Sequence, residues 1–265
     1  METMKSVPVL SLSGLVCSSR QAARLNLFCF PYAGGGASVF RAWPGRLPDW
    51  MTVCAVQPPG RESRIKEPAI ADVYELVDAL LPSILAHTDL PFAFMGYSTG
   101  ALVAFEMTRR LRREGMALPV LLCVAAARAP HIPEPRPLHH LPKDALIEGL
   151  RRFSGTPEEI LQSRELMDLY LPILRADLAI EELYEPVEEA PLDIDVAAFY
   201  GSDDEESPRS VVEPWRQYTA RNFELIEVAG GHFFIKTARD CFLSALTGVL
   251  ERVLSNGLKR AGGEI

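Results

Sequence analysis

The chain has 265 residues, 48% of them hydrophobic and 23% charged, which is ordinary for a globular protein and enough for one sizeable core. Its 35 acidic residues against 27 basic ones give a formal net charge of -8, which argues against broad binding to nucleic acid, because such binding runs on cationic surface. No stretch approaches the ~20 consecutive apolar residues of a membrane span, and the start, with Lys5 and a short apolar run at 7–10, lacks the long apolar region and cleavage site of a signal peptide.

In chain order, residues 1–20 read as a poorly ordered end. A first apolar run at 25–30 reads as a strand and leads into a glycine-rich loop, Phe30-Pro31-Tyr32-Ala33-Gly34-Gly35-Gly36-Ala37-Ser38. A second strand is expected at 52–57, a helix at 73–87, a strand at 92–95, a helix at 101–113 and a strand at 120–125. The alternation then breaks. A proline-rich run (Pro130, Pro133, Pro135, Pro137) opens a stretch with helical patterns at 143–153 and from 157 to about 185. Beyond it come a strand at 196–200, a helix at 211–218, a strand at 223–228 and a helix at 238–254. The tail after Leu254, with Lys259, Arg260, Gly262 and Gly263, reads as a second poorly ordered end.

Near-continuous apolar strands alternating with helices predict an α/β fold: a mostly parallel central sheet covered by helices on both faces. One domain is expected, with a core at about 20–128 and 193–256 and a helical insertion at about 129–192. The insertion suits a lid over the sheet edge, or else a helical extension that only adds stability. Cys17, Cys29, Cys54, Cys123 and Cys241 show no Cys-x-x-Cys spacing, so reduced packing cysteines in a cytoplasmic protein are expected.

The segment Gly96-Tyr97-Ser98-Thr99-Gly100 lies between a predicted strand and a predicted helix. This is the setting of the nucleophile elbow of the α/β-hydrolase fold, in which a tight turn pushes a serine hydroxyl out of the sheet and glycines two residues either side avoid a clash. Ser98 is the candidate nucleophile. A serine needs a base, usually a histidine held by a carboxylate. His87 closes a helix pattern, and His131, His139 and His140 sit in the insertion without metal-ligand spacing, where surface exposure is expected. His232 follows a strand and the pair Gly230-Gly231 near the C-terminal end, which is where the order Ser, acid, His puts the base. The acid should follow the strand at 196–200. Strand-Gly-x-x-Asp selects Asp204, Asp203 stays open as the alternative, and Glu205 and Glu206 read as solvated loop.

Acyl transfer also needs donors for the oxyanion. The Thr99 amide is one candidate, and the Ala33 amide, in the glycine-rich loop, is the second. A phosphate-cradling reading of that loop is disfavoured, since no Lys-Ser/Thr follows and the Gly-x-Gly-x-x-Gly spacing is missing. Neither a cofactor nor a metal is expected.

Four segments in order resemble the type II, or external, thioesterases that accompany polyketide synthases and non-ribosomal peptide synthetases. They are Phe30-Pro31-Tyr32-Ala33-Gly34-Gly35, Gln57-Pro58-Pro59-Gly60-Arg61-Glu62-Ser63-Arg64, the turn around Ser98, and Gly230-Gly231-His232-Phe233. The resemblance covers most of 25–250, and its Pro-Gly-Arg-Glu-x-Arg part discriminates best. It implies hydrolysis of acyl thioesters on the phosphopantetheine arm of acyl or peptidyl carrier proteins, clearing stalled or mis-primed synthases. On that reading Ser98 attacks, His232 moves the proton, Asp204 orients His232, and the insertion encloses the acyl group.

The partners expected are carrier proteins, with no nucleic acid and no membrane, and the enzyme is expected to be a monomer. Two features depart from the family pattern: Tyr97 and Thr99 stand where His and Met are common, which bears on chamber shape, and the glycine run is one longer. Because carrier proteins are usually acidic like this chain, docking would need a local basic face. Arg109, Arg110, Arg112 and Arg113, Arg61 and Arg64, and Arg151 and Arg152 are the clusters available, though solvated surface explains each as well. The same triad would also serve a carboxylesterase or an acyltransferase, and a dead hydrolase scaffold that only binds carriers is the non-enzymatic alternative.

Overall fold

The computed structural model describes residues 9–12, 14–18, 21–153 and 155–261. An eight-stranded sheet runs in the order β1-β2-β4-β3-β5-β6-β7-β8. Its strands are β1 (Val9–Leu12), β2 (Leu15–Ser18), β3 (Leu25–Phe30), β4 (Met51–Val56), β5 (Phe92–Tyr97), β6 (Leu121–Ala125), β7 (Asp195–Gly201) and β8 (Phe223–Val228). From β4 to β8 every pairing is parallel, while β1 and β2 add an antiparallel hairpin at one edge.

The helices are α1 (Val73–Leu85), α2 (Thr99–Arg113), α3 (Lys143–Arg151), α4 (Glu158–Gln162), α5 (Arg164–Glu182), α6 (Arg209–Val212), α7 (Phe234–Thr237) and α8 (Arg239–Ala261). None of the described helices is long and apolar enough to cross a membrane.

Why the central strands read as unbroken apolar runs is visible in β3. Leu25, Leu27 and Cys29 point into one core layer and Phe28 and Phe30 into the other, and all five are buried. The layer of Phe28 and Phe30 packs against α1 and α2 through Val73, Leu76, Leu80 and Phe105. The layer of Leu25, Leu27 and Cys29 packs against α8 through Phe242, Leu246, Val249 and Leu250. Helix α1 starts where it does because the Asp72 carboxylate accepts from the Tyr74 and Glu75 amides at 2.8 and 3.0 Å.

Between β6 and β7 lie α3, α4 and α5. Their first part has its own small core of Leu138, Leu146, Leu150, Leu161, Met167 and Leu171. The second half of α5 serves two cores: Leu174 and Leu178 remain in that cluster, while Ile180 enters the main core beside α2.

Three expectations need correction. The first 20 residues are not a uniformly loose end, because β1 and β2 pair with one another and β2 with β4; residues 1–8, 13, 19 and 20 lie outside the described residues. The last helix does not stop near Leu254 but continues to Ala261, while 262–265 lie outside. The helix expected at 211–218 breaks into α6 and a 3-10 segment, Glu213–Tyr218, whose first turn carries Pro214.

The cysteines also divide differently from expectation. Cys17 and Cys54 face each other across β2 and β4 and form a disulfide, whereas Cys29, Cys123 and Cys241 are free.

Candidate active site

Ser98 stands at the C-terminal end of β5, at the N-cap of α2, with φ +52° and ψ -125°. That left-handed conformation is costly for a residue with a side chain, on the order of 1–3 kcal/mol, and persists only where the surroundings impose it. Here the Ser98 amide donates to the Ala125 carbonyl at 2.8 Å, and the strand and helix meet so closely that no side chain fits at the flanking glycines. A methyl group on Gly96 would strike the Gly100 carbonyl, and one on Gly100 the Phe30 carbonyl. The turn therefore delivers the hydroxyl beyond the C-terminal end of β5, in the middle of the sheet.

There the Ser98 Oγ lies 3.3 Å from His232 Nε2, while His232 Nδ1 lies 3.0 and 3.2 Å from the two carboxylate oxygens of Asp204. The three residues are thus one hydrogen-bonded row, although Asp204 and His232 stand 28 positions apart and His232 and Ser98 134 apart. Of the two carboxylates left open by the sequence, Asp204 is the one that reaches the imidazole. Asp203 is exposed and accepts from the Ser202 hydroxyl.

Burial alone pushes the Asp204 carboxyl up, but His232 beside it and the amides of Ser207 and Glu206, at 3.0 and 2.9 Å, outweigh burial and hold it below the usual carboxylate range. An ionised acid next to His232 fixes the ring with its Nδ1 proton inward and leaves Nε2 free to accept from Ser98. The rings of Phe153, from the insertion, and Phe233 flank the imidazole at centroid distances of 5.3 and 5.4 Å.

Ser98 and His232 open onto a cleft of about 710 Å³. Ala33 and Thr99, the two oxyanion candidates, line it together with them. Its lining combines apolar Leu150, Phe153, Leu174 and Leu178 with charged Arg128, Arg152 and Glu181. Glu181 belongs to α5 and accepts from the Thr99 hydroxyl at 3.2 Å. Burial pushes its carboxyl above the usual range, against the opposing effect of Arg128.

Of the two residues flanking Ser98, Thr99 lines the cleft, whereas Tyr97 acts differently from what the family pattern suggested. Tyr97 points away from the cleft into the core, donating its hydroxyl to the His232 carbonyl at 2.6 Å and accepting from the Ile235 amide at 3.2 Å. It braces the histidine loop and does not shape the chamber. Nothing in the sequence marked that role, since the contact spans 135 positions. Tyr97→Phe leaves the Ile235 amide and one His232 carbonyl lone pair unmatched, so a loss of about 1–3 kcal/mol in stability is expected, read as a lower urea midpoint.

The other histidines lie apart from this row. His87 Nδ1 contacts the Ser83 carbonyl, His131 stacks on Tyr218 and His139 pairs with Glu182 at 2.6 Å. His131 and His140 are exposed as expected, while His139 is half-buried in its ion pair. Glu206 is not solvated: it is 7% exposed and paired with Arg136 and Arg152.

The basic clusters are similarly committed. Arg109, Arg112 and Arg113 converge on Glu189, Arg110 binds Asp78 and Glu114, Arg151 binds Glu148 and Glu158, and Arg61 is buried against Asp177. Each of these arginines has an acidic partner within the chain.

Residues 25–253 match the family model described as "Thioesterase domain". Among curated proteins, "Linear gramicidin dehydrogenase LgrE" of Brevibacillus parabrevis is 37% identical over 236 residues, covering 88% of this chain and 90% of that one. Among solved structures, "RedJ-Thioesterase from the Prodiginine biosynthetic pathway in Streptomyces coelicolor" is 38% identical with a TM-score of 0.80, covering 86% of each chain. The "type II thioesterase BorB from the borrelidin biosynthetic cluster" is 31% identical with a TM-score of 0.81, covering 92% of this chain and 99% of that one.

Proposed function

Given that the chain belongs to the thioesterase family, we propose that Ser98, His232 and Asp204 carry out its hydrolysis of acyl thioesters, and that the acyl groups arrive on the phosphopantetheine arm of acyl or peptidyl carrier proteins. The role is that of a separate, type II enzyme clearing stalled or mis-primed polyketide and non-ribosomal peptide synthases. The observation that carries the reading is the hydrogen-bonded row of Ser98, His232 and Asp204 opening onto a half-apolar cleft roofed by the insertion.

His232 Nε2 takes the proton of Ser98 as Oγ attacks the thioester carbonyl, and the carbonyl oxygen becomes an oxyanion facing the Ala33 and Thr99 amides. The C–S bond then breaks, the proton passes from His232 to the departing thiolate, and the free pantetheine thiol leaves. A water gives its proton to His232 and attacks the acyl-serine, and collapse of that second oxyanion releases the acid and restores the Ser98 hydroxyl. Asp204 stays ionised throughout and stabilises the imidazolium formed at each step.

The word dehydrogenase in one relative's name denotes redox chemistry. In this chain the loop after β3 lacks the Gly-x-Gly-x-x-Gly spacing of a dinucleotide site, and the serine row supports hydrolysis. We place the reaction in the cytoplasm on the free Cys29, Cys123 and Cys241, with the Cys17–Cys54 pair the observation that runs against it.

A panel of acyl groups presented as pantetheine thioesters and as matched oxygen esters tests the substrate class. The thioesters should win by at least about tenfold in kcat/KM, which is 1.4 kcal/mol of transition-state discrimination. Equal rates on oxygen esters would make the protein a general carboxylesterase, and acyl transfer to an added alcohol or amine in place of water would make it an acyltransferase.

A further inference from the structure

The Ala33 amide can serve an oxyanion only if the glycine-rich loop holds it in place, and glycines do not hold themselves. Gly34 has φ +77°, and a side chain there would meet Leu174 of α5 at 2.8 Å. One helical turn further along α5, Asp177 accepts from the Gly34 amide at 2.7 Å. The same carboxylate takes two hydrogen bonds from Arg61, one from Nη2 at 2.8 Å and a second from Nη1. Arg61 Nη1 also donates to the Gly35 carbonyl at 3.2 Å and Nε to the Pro59 carbonyl at 3.2 Å.

Both side chains are about nineteen-twentieths buried, at 5% and 6% exposure. The remainder of the loop is tied to the same Pro-Gly-Arg-Glu segment: Gln57 accepts from the Ala37 amide at 3.0 Å, and Glu62 accepts from the Ser38 amide and hydroxyl at 3.2 and 2.6 Å. One turn beyond Asp177, Glu181 takes the hydroxyl of Thr99, the other oxyanion candidate. A single stripe of α5, formed by Leu174, Asp177, Leu178 and Glu181 at helical spacing, therefore touches both sides of the place where the oxyanion forms.

We infer that the buried Arg61–Asp177 pair is a positioning device for the oxyanion loop, and that the second half of α5 is part of the catalytic frame and not part of a movable cover. Asp177 fixes the Gly34 amide and so aims the preceding Ala33 amide, and Arg61 fixes the Gly35 carbonyl and the carboxylate at once. This gives the Pro-Gly-Arg-Glu segment a task that a serine triad alone does not explain. The inference rests on the hydrolase reading above.

The test compares wild type with Asp177→Asn and with the paired change Arg61→Leu/Asp177→Leu, which removes the acceptor without stranding a buried charge. Three quantities are measured on each protein: kcat and KM on the best pantetheine thioester of the panel, inhibition by the matching trifluoromethyl ketone, which adds Ser98 and bears an oxyanion, and inhibition by the matching thioether, which has no carbonyl.

For the paired variant kcat should fall by about 10²-fold and ketone affinity by a similar factor, while KM and thioether affinity move by less than about threefold. Asp177→Asn, which keeps an oxygen for the Gly34 amide but loses its hold on Arg61, should lose about tenfold in kcat with the ketone following; it decides the matter if the paired variant does not fold. A folded variant whose kcat stays within about threefold of wild type overturns the inference, as does equal weakening of ketone and thioether, the mark of general structural damage. A wild type that neither hydrolyses thioesters nor responds to the ketone would instead sink the hydrolase reading, and the inference with it.

Discussion

Ser98→Ala is expected to lower kcat on acyl-pantetheine thioesters by about 10⁴- to 10⁶-fold, since members of a serine triad act as a unit and the loss of the nucleophile leaves only binding and oxyanion stabilisation. The fold should survive. Among the described residues the only side-chain hydrogen bond of Ser98 runs to His232 at 3.3 Å, and the hydrogen bond from its amide to the Ala125 carbonyl, which holds the elbow, does not involve the hydroxyl. Urea midpoints within experimental error of wild type, alongside lost turnover, would separate a missing nucleophile from a collapsed site. A folded variant that kept a tenth of wild-type activity would contradict the assignment.

The acid gives the second large effect. Asp204→Asn should reduce kcat by about 10²- to 10⁴-fold, because an amide can present its NH₂ to His232 Nδ1 and so stabilise the wrong tautomer of the ring. Asp203→Asn, on the same loop but exposed and bonded to Ser202, should leave kcat near wild type. The two variants measured side by side assign the role, and a larger loss at Asp203 would reverse it.

Stability should follow pH in a way that identifies the same group. The folded-state pKa of Asp204 is depressed, so the stability it contributes is present above the ordinary carboxylate value and is lost as pH falls through the lower folded value. Urea midpoints of the wild type should therefore fall more steeply below the usual carboxylate range than those of Asp204→Asn. Parallel slopes would mean that His232 does not hold the carboxylate ionised.

How much of this was legible in the sequence depended on how local its cause was. The strands from Leu25 to Val228 were readable because sheets covered on both faces need apolar residues at every position, and β8 keeps the bounds its pattern gave. The elbow was readable because Gly96 and Gly100 mark a backbone collision that any side chain would cause. The β1–β2 hairpin was missed because two strands of four residues carry little periodic signal, and β4, the partner that ties β2 to the sheet, lies some 37 residues on.

The contacts around the oxyanion loop were harder still. Arg61 and Asp177 stand 116 positions apart, and no local pattern links them. A clue existed in α5, where an aspartate interrupts the apolar run of Leu174, Leu178 and Ile180, which marks a buried acid in search of a partner. Tyr97 was weighed as a chamber residue because it neighbours Ser98 in sequence, yet successive strand residues face opposite ways, so the neighbour of an outward serine points into the core.

The central claim is a covalent one, and the mass of the protein during turnover tests it most directly. Mixing with an acyl-pantetheine thioester, acid quenching within a single turnover and mapping the peptides should find one acyl group on the peptide containing Ser98, absent in Ser98→Ala and disappearing as free acid accumulates. Hydrolysis at full rate with no acylated Ser98, or with the acyl group on another residue, would contradict the account.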